Sequence, residues 1–321
     1  MMERSKVSER VIPIQVRAGM TVNELVNEMR GSGSFGAGRI AQAVEIYERM
    51  IRDEATIFFG LAGAMVPAGM KKIVIDLMKK RMIDVLVSTG ANMVHDALEG
   101  FGGSHVKGSM YADDAELHKK SIDRIYDIYV SEETFVSKFD KPILDVYRRI
   151  SSRHGGETIS IRDLMWEIGE QIPGTDSILR TAYELRIPVY VPALQDSCYG
   201  LSMWEYLFRL GEERIVVDAF ADMRDLFQTY DKAKRRGAFI VGGGVPKNYI
   251  FQLAFKTGHP YDYVIQITMD RPETGGLSGA TLEEAVSWGK IGEQANRVQV
   301  ISDATICLPL IAAATLERLS R

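Results

Sequence analysis

Residues 238–256 read AFIVGGGVPKNYIFQLAFK. An apolar run with no polar alternation reads as a strand buried on both faces, as strands of parallel sheets are. Three consecutive glycines follow, more than a tight turn needs. Without side chains they let backbone amides come close to a phosphate or a ribose. Pro246 then sits near a helix start, where its missing amide proton costs nothing. Strand, glycine turn and helix in that order form the repeating unit of a doubly wound sheet.

The same unit recurs on both sides of this stretch. TIFFGLAG (56–63), IDVLVSTG (83–90), IPVYVPAL (187–194), RIVVDA (214–219), DYVIQIT (262–268) and VQVIS (298–302) read as further strands. GMKKIVIDLMKKRM (69–82), SILRTAYELR (177–186), DMRDLFQTYDKAKRR (222–236) and ATICLPLIAAATLERL (304–319) have helical spacing between or after them. The expected fold is α/β: a doubly wound, mostly parallel, Rossmann-like sheet with helices on both faces. One α/β domain is expected over residues 1–321. Residues 1–30 read as an N-terminal arm, and 104–175 as a largely helical or irregular excursion.

Ligands of such sheets bind beyond the carboxyl ends of the strands. Those ends are rich in small and polar residues: GLAGAMVPAG (60–69), STGANMVHD (88–96), ALQDSCYG (193–200), VGGGVPKN (241–248), ITMDRPETGGLSG (267–279) and ISDA (301–304). Together they suit a nucleotide-type ligand, although tight turns also use glycine. Asp303 ends a strand and precedes a helix. It reads equally as an N-cap or as an acceptor for ribose hydroxyls, and Asp196 occupies a similar place. Gly31, Gly33 and Gly36 form a G-x-G-x-x-G, but MTVNELVNEMRG (20–31) before it is helical, not a strand. The formal match is therefore a helix end and a helix–helix turn, with no cofactor role.

Bulk properties narrow the field. The 321 residues are 46% hydrophobic and 26% charged, with net charge −4 and two cysteines. Short basic runs argue against nucleic-acid binding. No apolar run has transmembrane length, and MMERSKVSERVIP lacks a signal-peptide core, so a cytoplasmic protein is expected. The histidines and cysteines show no metal-ligand spacing, and no G-x-S-x-G elbow marks a serine nucleophile.

The segment SGATLEEAVSWGKI (278–291) holds the candidate for covalent chemistry. Thr281-x-x-Glu284 reads as a capping box, and Gly289 ends the short helix. Lys290 then reads either as a solvated lysine at a helix end or as a nucleophile. The first is favoured by the helix dipole, which supports the ammonium form. The second requires burial against Trp288 to yield a free amine.

This segment, followed by VQVISDATICLPLIAAATLERL, resembles the C-terminal signature of deoxyhypusine synthases. The resemblance runs along the chain through GSGSFGAGRIAQAVEIYERM, FFGLAGAMVPAG, DVLVSTGANMVHD, IPVYVPALQDS and FIVGGGVPKN. It implies NAD-dependent cleavage of spermidine, with the aminobutyl group held as an imine on Lys290. Transfer to a lysine of the hypusine-bearing translation initiation factor would follow. It also implies a homotetramer. For the polyamine it implies Glu284, Trp288, Gly243 and Gly275. For NAD it implies Gly63, Ala64, Met65, Val66 and Pro67; Thr89, Gly90 and Ala91; Asp196; Thr268 or Met269; and Asp303 with Ala304.

The sequence departs from the eukaryotic pattern and resembles the prokaryotic branch. Lys247 is followed by Asn248 and Tyr249 where that pattern has two histidines. Val94 and His95 replace paired glutamates, and Leu201 and Leu277 replace two pocket aspartates. Asn248, His95, Asp270 and Glu273 are therefore candidates for gripping the amine. The alternative acceptor is putrescine, as in homospermidine synthase. A regulatory paralogue that only binds NAD is a third reading, weakened because Lys290, Trp288 and Glu284 are all present.

Overall fold

The structure is a computed structural model and describes residues 9–320. The first eight residues of the expected arm, and most of the segment read for a signal peptide, lie outside the described residues. Six strands form the main sheet: β1 (Thr56–Leu61), β2 (Val85–Ser88), β3 (Val189–Tyr190), β4 (Arg236–Val241), β5 (Tyr261–Thr268) and β6 (Ile291–Ile301). Every pairing is parallel, and the spatial order is β6-β5-β4-β1-β2-β3. This is the Rossmann order, with its switch point between β1 and β4.

Alternation along the strands sorts two apolar layers. Ile57, Phe59, Leu61, Phe239, Val241, Ile265 and Ile267 face one way. They pack under α1 (Val22–Ser32), α2 (Phe35–Arg52), α3 (Lys71–Lys79), α4 (Gly90–Gly100) and the C-terminal helix Ala304–Leu319. Phe58, Val85, Val87, Ala238, Ile240 and Val264 face the other way. They pack under α5 (Ala221–Lys232), α6 (Gly244–Thr257) and α7 (Leu282–Ser287); the C-terminal helix is α8. Burial on both faces explains why these strands read as continuous apolar runs.

Three readings change. RIVVDA forms a strand, but Val216–Asp218 pairs with Thr158–Ser160 in a separate two-stranded sheet. Residues 104–175 contain helices and also a three-stranded antiparallel sheet of Val106–Lys107, Ile122–Ile125 and Ile128–Ser131. The last strand starts at Ile291, not at Val298, because a bulge shifts the register between Tyr261↔Ile291 and Tyr263↔Asn296. Its first half is polar because it lies on the sheet edge.

The formal G-x-G-x-x-G does sit between helices. Gly33, at φ 62°, caps α1 and its N–H donates to the Met29 carbonyl. No helix among the described residues is long and apolar enough to cross a membrane.

Candidate active site

Two neighbouring hollows use the residues singled out by the sequence. The first lies at the carboxyl edge of the sheet. About 240 Å³ is enclosed by the ends of β1, β4, β5 and β6, with Gly63, Met65, Gly242, Thr268, Met269, Asp270, Ser302, Asp303 and Ala304 on its walls. Gly63 and Gly242 have φ near 77° and 78°, the left-handed region that glycine tolerates. They turn the chain away on either side of the switch point.

Asn92 ties the next turn to this one. Its Oδ1 accepts from the Val66 N–H at 3.2 Å, and its Nδ2 donates to the Leu61 carbonyl at 3.3 Å. The Gly63–Pro67 turn is thereby held beside Thr89, Gly90 and Ala91 at the start of α4. Val66 and Pro67 are buried and support the turn, while Gly63 and Met65 line the hollow. At Gly90 a Cβ would stand 2.4 Å from the Ser197 side chain, so the turn bearing Asp196 packs directly on it. Asp196 itself is exposed.

Asp303 is a working cap, since its Oδ1 accepts from Thr305 N and Thr305 Oγ1, both at 2.6 Å. It also lines the hollow, so the two readings of this residue are compatible. Helices α4, α6 and α8 all begin at this edge, with the first-turn amides that the Thr89 and Asp303 caps leave open. Left-handed glycines, amide-bearing helix starts and Asp303 fit a dinucleotide's pyrophosphate and ribose.

The second hollow, of about 140 Å³, lies between α6 and α7. Lys247, Asn248, Phe251, Leu277, Ala280, Thr281, Glu284, Ala285, Trp288 and Lys290 line it. A Schellman ending of α7 brings Lys290 here. Gly289, at φ 66°, donates to the Val286 carbonyl at 2.9 Å, and Lys290 N–H donates to the Ala285 carbonyl at 3.0 Å. The Lys290 carbonyl accepts from Tyr261 N–H at 3.0 Å, which places the residue at the head of β6.

Lys290 is half-buried, with Nζ 5.4 Å from the Trp288 ring centroid. Trp288 is 56% exposed, so it forms a rim and not the burying wall expected from sequence. The capping box is half-formed. Thr281 Oγ1 accepts from Glu284 N–H at 3.1 Å, but the Glu284 carboxylate takes no part in the cap. That leaves it for the cavity.

The structure separates the other candidates. Gly243 has an extended φ of −175°, and a Cβ there would lie 2.4 Å from Ser278 Cα. It is a close-packing residue that seats the 277–280 segment over the cavity. Gly275 is an exposed left-handed turn residue beyond that segment. His95 lies within α4 and does not line the lysine cavity of its own chain. Its Nδ1 meets His105 Nε2 at 2.9 Å, His105 Nδ1 meets Glu99 at 2.7 Å, and Glu99 pairs with Lys71 at 2.5 Å. Burial, and then the neighbouring His105, push its pKa down to about 4. Neighbouring Asp96 is buried and accepts from Ser177 Oγ and from the Ile178 and Leu179 amides.

The family model of deoxyhypusine synthase matches residues 24–315. "Probable deoxyhypusine synthase 1" of Methanosarcina acetivorans is 52% identical, covering 94% of this chain and 93% of its own. "Probable deoxyhypusine synthase 1" of Archaeoglobus fulgidus is 42% identical, covering 96% and 98%. The chain belongs to the deoxyhypusine synthase family. The fold agrees with the crystal structure of a "putative deoxyhypusine synthase from Entamoeba histolytica", at TM-score 0.66 and 19% identity over 93% of this chain and 94% of that one.

Against the deoxyhypusine synthase pattern, one further residue stands out. Lys247 is 3% exposed, and its Nζ donates to the carbonyls of Leu277 at 3.0 Å and Ala280 at 2.6 Å. Burial pushes its pKa down to about 8; Glu284 opposes that shift and Lys290 adds to it. The sequence signal was a lysine in the first turn of a helix, against the dipole. A larger cavity, of about 420 Å³, lies elsewhere, around Arg153, Trp166 and Arg186. Arg153 there is paired with Glu167 and Glu170. It holds no lysine, and the chemistry favours the smaller hollow.

Proposed function

We propose that the chain transfers the aminobutyl group of spermidine, through an imine on Lys290, to a lysine of the hypusine-bearing translation initiation factor. Family membership supports the reaction class. The observation that carries the reading here is Lys290 in a small cavity, with an aromatic rim and the uncapped Glu284 carboxylate. When bound, NAD supplies a hydride acceptor for the substrate amine and returns the hydride to the product imine. Gly63, Ala64, Met65, Val66, Pro67, Thr89, Gly90, Ala91, Asp196, Thr268, Met269, Asp303 and Ala304 would hold it along the sheet edge.

In the cavity, Trp288 and Phe251 would flank the alkyl chain, and Glu284 would take one ammonium end. The amine of Lys290 would attack the substrate carbon. A diamine acceptor would need a second ammonium site deep in the pocket. Among the described residues, Glu284 is the one carboxylate on the cavity wall, and it is exposed. That favours a protein acceptor over putrescine. Assembly as a homotetramer in the cytoplasm completes the reading.

The test uses the purified protein with NAD and spermidine, once with the translation factor and once with putrescine. Borohydride trapping and mass measurement follow. An aminobutyl adduct on Lys290 and a modified factor are expected. Homospermidine without modified factor would replace this reading with the diamine one, and no adduct in either mixture would refute both.

A further inference from the structure

Lys247 is the buried charge that the proposed chemistry leaves unused. It occupies the first turn of α6, where the helix dipole disfavours a cation. Its hydrogen-bond partners are backbone carbonyls, and the Glu284 carboxylate acts on it through space. A neutral amine has two N–H groups and a lone pair, and an ammonium has three N–H groups. Two N–H groups are committed in either state, to Leu277 O and Ala280 O. No backbone acceptor therefore loses its partner when the third proton leaves or arrives.

That third position has no hydrogen-bond partner among the described residues, and Lys247 lines the same cavity as Lys290. The charged side chains on the cavity wall are Lys247 from α6, Glu284 from α7 and Lys290 at the head of β6. All three line one hollow of about 140 Å³, and Glu284 and Lys290 both act on the charge of Lys247.

We infer that Lys247 is the acid–base group of the lysine cavity, moving the proton that imine formation at Lys290 must shed and recover. This rests on Lys290 being the imine-forming residue. The Lys290 amine adds to an iminium or carbonyl carbon, and a C–N bond forms. The added nitrogen becomes positively charged and releases a proton to Lys247. Lys247 returns that proton to the departing nitrogen or oxygen as its bond to carbon breaks. From an iminium a free amine leaves and a protonated imine remains on Lys290. From a carbonyl the oxygen takes a second proton from the Lys290 nitrogen, leaves as water, and a neutral imine remains. No electrons change hands. Its position near neutrality, at about 8, suits transfer in both directions. The clamp on residues 277–280 is the second role of the same ammonium.

The experiment needs neither NAD nor polyamine. Butanal with cyanoborohydride is added to the full chain between pH 6 and 10, and labelling of the Lys290 peptide is timed by mass. The wild-type rate should rise through a step near pH 8. In Lys247→Arg the guanidinium can still donate to both carbonyls but does not surrender a proton. In Lys247→Met both functions go. Both variants should lose the step and label about a hundredfold more slowly at pH 8. Wild-type rate and profile in Lys247→Arg would overturn the inference and leave Lys247 as a clamp only. No label on Lys290 in the wild-type chain would refute the reading of Lys290, and the inference would fall with it.

Discussion

Gly243→Ala separates a packing glycine from a ligand-binding one. At φ −175° the backbone accepts any side chain, so conformational strain does not enter. The added Cβ would lie 2.4 Å from Ser278 Cα and 2.8 Å from Ser278 Cβ. Either residue can yield only by moving the main chain. The Ser278 carbonyl accepts from Gln266 Nε2 at 2.9 Å and from Thr268 Oγ1 at 3.3 Å. Its neighbours Leu277 and Ala280 accept from Lys247. Overpacking of this kind costs about 1–3 kcal/mol, and weakening a charged hydrogen bond adds about 1.5–3 kcal/mol. The expected loss is about 2.5–6 kcal/mol, read from the urea midpoint at unchanged slope. Gly36→Ala is the control. It lies in α2, and a Cβ there meets nothing within 4 Å. Ala should be neutral or stabilising by up to about 1 kcal/mol. A Gly243→Ala loss under about 0.5 kcal/mol, or equal losses in both variants, would refute the packing argument.

Lys290→Ala should abolish the trapped adduct and leave NAD affinity within about twofold, because the sheet-edge hollow does not include it; a large loss of NAD binding in titration would contradict the separation of the two hollows. His95 carries a folded-state pKa of about 4, below its ordinary 6.5. A depressed base contributes stability above pH 6.5 that is lost as pH falls toward 4. Unfolding free energy should therefore drop by about 2 kcal/mol from this group between pH 7 and 5, and His95→Gln should flatten that slope. An equal slope in the variant would assign the loss to other groups. Leu277→Asp adds a carboxylate to the cavity wall at a partly exposed position. It should lower KM for spermidine about two- to fivefold at low salt, with the gain fading at high salt; an unchanged or raised KM would count against an amine in this cavity.

The apolar strands and their glycine turns were legible because burial on both faces leaves a compositional trace. Ile57, Phe58 and Phe59 are apolar whichever way they point. The order of the strands left no such trace, since it depends on which crossover goes to which side. RIVVDA has the composition of a central strand yet pairs elsewhere. Lys290 was legible because Gly289 accepts the left-handed φ of 66° at a helix end, and the Schellman ending follows from that glycine. Lys247 was harder to read for a reason of distance. What buries it is a segment thirty residues later, held down by Gln266 and Thr268 from β5 and by the absent side chain of Gly243. Glu284 shows the same limit locally. Sequence placed it three residues after Thr281, which suits a cap and a pocket equally. The choice was made by geometry that brings α7 against α6, where the carboxylate lines the cavity. The site is thus assembled from a readable helix ending and from contacts between segments that only the sheet brings together.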